Sequence, residues 1–88
     1  MKLIIAIVSD KDYEKITRGL TSEEYRVTCI ASTGGFFRHG NTTLLVGLEE
    51  ERMNRALEII KENSTVPDVS GIPKTTIFVL DIKQYVHL

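Results

Sequence analysis

Apolar residues occupy both parities of the first segment of this chain. Leu3, Ile5 and Ile7 fall on one side of an extended strand, and Ile4, Ala6 and Val8 on the other. Such a run, from Lys2 to Ser9, predicts a strand covered on both faces. The period then changes. Tyr13, Ile16 and Leu20 recur at helical spacing, which predicts a helix over Lys11–Thr21 with Asp10 as its N-cap. Tyr25–Ala31 and Thr42–Leu48 predict two further strands. A second helix over Glu50–Asn63 buries Met53, Ala56, Leu57 and Ile60. Glu49, Glu50 and Glu51 suit its positive N-terminus, and Glu51 and Arg55 form an i,i+4 pair on its solvated side. A connection rich in Ser, Pro and Gly follows, from Asn63 to Pro73, then a last strand over Lys74–Ile82 and a tail over Gln84–Leu88.

The order β-α-β-β-α-β with right-handed crossovers predicts an α+β, ferredoxin-like domain over residues 1–88. Its four-stranded antiparallel sheet has strands one and three in the centre and both helices on one face. The other face of such a sheet should carry polar residues, and this one does not. Leu3, Ile5, Ile7 and Leu45 stay apolar there, and the last strand is apolar on both parities, with Ile77 and Val79 against Phe78, Leu80 and Ile82. In a single short domain, the expected cover is a second copy of the chain.

Composition narrows the function classes. The chain has 88 residues, 42% hydrophobic and 26% charged, with a net charge of −1. That charge argues against extended DNA or RNA as a partner. The apolar start, Leu3 to Val8, is too short for a signal peptide or a membrane span. One cysteine, Cys29, rules out an intramolecular disulfide framework and fits a reducing, cytoplasmic setting. No Ser-His-Asp, Cys-His or paired-carboxylate arrangement points to catalysis, so the expectation is a binding protein and not an enzyme. Asp10 and Asp12 stand at a strand-to-helix turn, where capping accounts for them. Cys29, His39 and His87 match no compact metal-ligand spacing.

The chemistry concentrates in Ala31-Ser32-Thr33-Gly34-Gly35-Phe36-Phe37-Arg38-His39-Gly40-Asn41-Thr42-Thr43. Glycines let backbone N–H groups converge on an anion, aromatic faces accept a base, and an asparagine amide can pair with an adenine edge. Each residue also has a plainer role. Gly34 and Gly35 suit a hairpin turn, Asn41 suits an Asx turn, and one of Phe36 and Phe37 suits the core or an interface. Arg26 and Thr28 share a parity, so they share a face, either solvated or facing a ligand.

The stretch Met1–Ser64 resembles the PII-like cyclic di-AMP receptor family. The resemblance rests on Lys2-Leu3-Ile4-Ile5-Ala6-Ile7-Val8 with Asp10 and Asp12, and on Arg26-Val27-Thr28. It continues through Thr33-Gly34-Gly35-Phe36 with Arg38, Gly40-Asn41-Thr42-Thr43 and Ile59-Ile60-Lys61-Glu62-Asn63, and resumes at Thr76-Ile77-Phe78-Val79. It implies a PII-like homotrimer with cyclic di-AMP, and no cofactor or metal, in clefts between subunits. In that frame Arg26 and Thr28 line the base and phosphate region. Gly35, Phe36 and Phe37 supply backbone N–H groups and an apolar wall. Asn41 reads an adenine edge, Gly47 allows close approach, and Phe78 packs from the last strand. Two weaker candidates depart from the family pattern: Glu24 stands where the family often has asparagine, and His87 near a glutamine position. The connection before the last strand is much shorter than in typical members, and there it is a segment that responds to ligand. True PII nitrogen sensors carry a long loop with a modifiable tyrosine between strands two and three, and this chain does not. The expected function is signal transduction through ligand-dependent loop ordering, toward a downstream protein the sequence does not name. The rival readings are a trimeric scaffold that binds no nucleotide, and a trimeric divalent-metal-binding protein of the same fold.

Overall fold

Strand β1 (Lys2–Ser9) runs down the middle of the sheet, antiparallel to β3 (Asn41–Leu48) on one side and β4 (Thr76–Asp81) on the other. Strand β2 (Arg26–Ile30) pairs antiparallel with β3 and forms the far edge, giving the order β2-β3-β1-β4. Helices α1 (Asp10–Ser22) and α2 (Met53–Glu62) complete the βαββαβ arrangement, with strands one and three central as the pattern requires. The computed structural model describes residues 1–30, 41–65, 75–83 and 86.

One parity of the central strands makes the core. Ile4, Ala6 and Val8 of β1 and Leu44, Val46 and Leu48 of β3 are buried with Ile16 and Leu20 of α1 and Ala56, Ile59 and Ile60 of α2. Tyr13, Met53 and Leu57 pack partly buried against them. Burying a branched aliphatic side chain contributes about 1.5–3 kcal/mol, and this single cluster holds the helices to the sheet. The helices meet closely at Gly19. A Cβ there would lie 2.9 Å from Ile59 Cγ2 and 3.2 Å from Asn63 Nδ2.

Several local expectations need correction. The N-cap of α1 is Ser9, whose hydroxyl accepts from the Lys11 N–H at 3.2 Å, so Asp10 lies inside the helix. Ser and Asp are comparable caps, and the first turn uses the earlier one. Residues Glu50–Arg52 form a 3-10 turn, and the regular helix begins at Met53. Arg55 does not pair with Glu51. Its guanidinium grips both carboxylate oxygens of Glu23, at 3.0 and 2.6 Å, and reaches Glu58 at 2.9 Å. A two-pronged guanidinium–carboxylate contact outcompetes a single exposed i,i+4 contact. Tyr25 precedes β2 and is buried. It donates its hydroxyl to the Arg52 carbonyl at 2.9 Å while the Arg52 guanidinium lies 4.0 Å from its ring centroid. The Lys74 start of the last strand lies outside the described residues, and β4 ends at Asp81, one residue short of Ile82.

The turn between α1 and β2 is a Schellman motif. The Tyr25 N–H bonds Leu20 O at 3.1 Å and the Glu24 N–H bonds Thr21 O at 3.0 Å. This places Glu24 in the left-handed region, φ 66°. Glycine or asparagine is the usual choice for that position.

Candidate functional site

Helices cover the central strands on one face of the sheet, leaving Ile77 and Val79 of β4 exposed on that side, and the opposite parity forms the other face. The strand pairing arranges that second face in rows. Arg26, Gly47, Leu3 and Leu80 lie in one row, and Thr28, Leu45, Ile5 and Phe78 in the next. Ile30, Thr43, Ile7 and Thr76 follow, and Asn41 lies beyond them, opposite Ser9. Of the residues singled out from the sequence, Arg26, Thr28, Asn41, Gly47 and Phe78 are therefore on this one face. Gly35, Phe36, Phe37 and His87 lie outside the described residues.

The five share a face without forming one tight cluster. Arg26 and Gly47 are direct partners, and Thr28 is one row away. Asn41 and Gly47 stand at opposite ends of β3, about 20 Å apart at the rise of an extended strand. Phe78 is on the far edge strand, three strand spacings or about 14 Å from Thr28.

The face is apolar along its middle and polar toward β2. Phe78 is 51% exposed, Leu80 49% and Ile30 42%, and Leu3, Ile5, Ile7 and Leu45 are only half-buried. Arg26 and Thr28 are exposed beside them, and Arg26 forms no ion pair among the described residues. Gly47 leaves a gap in the surface, because a Cβ there would meet nothing within 4 Å. Thr43 is buried, and its hydroxyl has no hydrogen-bond partner among the described residues. Glu24 is exposed at the turn leading into Arg26, and its left-handed backbone gives an asparagine at that position a conformational reason independent of any ligand.

Cys29 belongs to the other parity of β2, beside Leu44. It is exposed, and its interaction with the Tyr13 phenol holds that phenol above its ordinary pKa. No group of three His, Cys, Asp or Glu side chains suited to a metal ion exists among the described residues.

Two carboxylates have roles that capping did not anticipate. The Asp10 Oδ1 accepts from Thr42 Oγ1 at 2.6 Å. Asp12, 2% exposed, accepts from the Thr65 N–H at 2.8 Å and the Thr65 hydroxyl at 2.6 Å. One signal was available in the sequence: Asp12 stands at i−4 and i−8 from the buried Ile16 and Leu20, on the same helical stripe. No helix among the described residues is long and apolar enough to cross a membrane.

A family model described as the cyclic-di-AMP receptor matches residues 1–70. A solved structure titled as a functionally unknown protein from Pediococcus pentosaceus ATCC 25745 is 37% identical, with a TM-score of 0.78. The match covers 99% of this chain and 96% of that one.

Proposed function

The chain belongs to the cyclic-di-AMP receptor family, and on that premise we propose that it is a homotrimeric, cytoplasmic receptor that binds cyclic di-AMP between subunits. The observation that supports the reading is the sheet face opposite the helices, where, among the described residues, Arg26, Thr28, Asn41, Gly47 and Phe78 share one parity with exposed and half-buried apolar side chains. The ligand has two adenines and two phosphodiester charges. Arg26 supplies a guanidinium for a phosphate, Thr28 a hydroxyl, and Asn41 an amide that matches an adenine edge. Phe78 supplies a ring for a base to pack on. Gly47 gives the ligand or a neighbouring subunit close approach. The distance from Asn41 to Arg26 fits a cleft in which these residues come from different subunits.

Receptor membership favours binding over catalysis, and the function we assign is a shift of population. Ligand selects one arrangement of the residues around Gly35–Asn41, and a protein partner reads the altered surface. The test is Asn41→Ala, followed by calorimetry and by sedimentation. Affinity for cyclic di-AMP should fall by about tenfold or more, the usual scale for losing a good two-pronged base contact, while the trimer persists. Unchanged affinity would remove Asn41 from the site.

A further inference from the structure

The first turn of α1 holds two far-apart parts of the chain at once. Asp10 bonds Thr42, next to Asn41 at the start of β3. Asp12 takes both the amide and the hydroxyl of Thr65, just past the end of α2. The contacts span 32 and 53 residues of sequence, and their anchors are two residues apart on one helix, about 3 Å along its axis. Neither carboxylate is needed to cap the helix, because Ser9 does so. The far stem joins the same arrangement, since the Thr75 hydroxyl bonds Ser64 Oγ at 3.0 Å and Ser64 in turn bonds Ile60 O at 2.6 Å. A buried carboxylate is costly to desolvate unless its lone pairs are used, and Asp12 uses its two oxygens on one residue of the segment that follows α2. An apolar residue on the Asp12–Ile16–Leu20 stripe would serve packing alone.

We propose that the first turn of α1 couples Asn41 to the Ser64–Thr65 stem, so that ligand engagement at Asn41 is felt at Thr65 through Asp10 and Asp12. This rests on the receptor reading, and assigns to that site its internal route of transmission. In it α1 is the rigid piece, and the hydrogen bonds at Thr42 and Thr65 are the contacts that change.

The experiment is amide hydrogen exchange at Thr65, with and without cyclic di-AMP, in the full chain and in Asp12→Asn. Asparagine keeps the shape of aspartate but removes its charge, so the Thr65 amide is left a neutral acceptor and the Thr65 hydroxyl must turn to accept from the new N–H₂, which weakens the tie. The expected result is a several-fold ligand-dependent change in exchange at Thr65 in the native chain. In Asp12→Asn that change is lost while affinity stays within about threefold, because Asp12 does not touch the ligand face. If Asp12→Asn does not fold, Thr65→Val removes the hydroxyl contact alone and should reduce the same response. Ligand binding with no change at Thr65, or a change that survives Asp12→Asn, overturns the coupling and leaves the receptor reading standing. Absence of cyclic di-AMP binding to the native chain overturns the receptor reading and this proposal with it.

Discussion

Arg26 on β2 stands directly opposite Gly47 on β3, and a Cβ at Gly47 would meet no atom within 4 Å. Among the described residues nothing therefore gives glycine a steric reason there. Glycine inside a strand is less favourable than alanine by roughly 0.5–1 kcal/mol. On the receptor account the missing side chain serves whatever lies against this face. Gly47→Ala should leave the monomer fold intact or slightly more stable in thermal melts, and weaken cyclic di-AMP binding by about tenfold or more, the scale of a lost close contact. Normal binding by Gly47→Ala would take the Arg26–Gly47 pair out of the site.

Glu24 carries the left-handed backbone of the Schellman turn, φ 66°. A residue with a Cβ costs about 1 kcal/mol there relative to glycine. Glu24→Gly should raise the melting temperature by about 4–8 °C for a domain of this size, whereas Glu24→Gln, which keeps the Cβ, should not. The two variants also separate backbone from charge. If the carboxylate opposes an anionic ligand, both should bind cyclic di-AMP more tightly than the native chain.

Gly19 is constrained from the other direction, because its added Cβ would fall 2.9 Å from Ile59 Cγ2. Gly19→Ala should destabilise the domain by about 1–3 kcal/mol in denaturant unfolding, as over-packing of a buried contact does. Ile59→Leu removes the β-branch that carries Cγ2. Combined with Gly19→Ala it should recover part of the loss, which a double-mutant cycle would register as coupling.

Acid should weaken the tie between the α1–β2 turn and α2. The Arg55 guanidinium holds the Glu23 carboxyl below its ordinary pKa, mainly through their hydrogen bonds. A carboxylate with a lowered folded-state pKa contributes stability that is fully present above its unfolded value, about 4.3, and is lost as pH falls through the folded one. Melting temperature should drop on acidification below about pH 4.5, and Glu23→Gln should flatten that part of the profile. The Lys2–Asp81 pair adds a second lowered carboxylate with the same sign. A profile unaffected by Glu23→Gln would show the contact to be energetically silent.

Much of this architecture is visible in local pattern. The double-sided apolar run of β1, the Tyr13–Ile16–Leu20 helical stripe and the strand Thr42–Leu48 each specify their element from neighbours in sequence, and their order specifies the topology. The shared face of Arg26 and Thr28 follows from strand alternation alone. What was not legible depends on partners far along the chain. Ser9 and Asp10 are equivalent as caps by local rules, and Asp10 is freed for Thr42, 32 residues away. Arg55 leaves Glu51 for Glu23 on another element, 32 residues away. Asp12 is buried because Thr65 satisfies it, a contact no periodicity encodes. The roles of Gly35, Phe36, Phe37 and His87 rest on the family resemblance, since they lie outside the described residues.

The most direct measurement is calorimetric titration of the purified chain with cyclic di-AMP, with ATP and cyclic di-GMP as controls. The account predicts saturable binding of one ligand per chain, selective for cyclic di-AMP. No heat and no shift in melting temperature with any of the three would contradict it, and would leave a family member whose open sheet face serves assembly without a nucleotide.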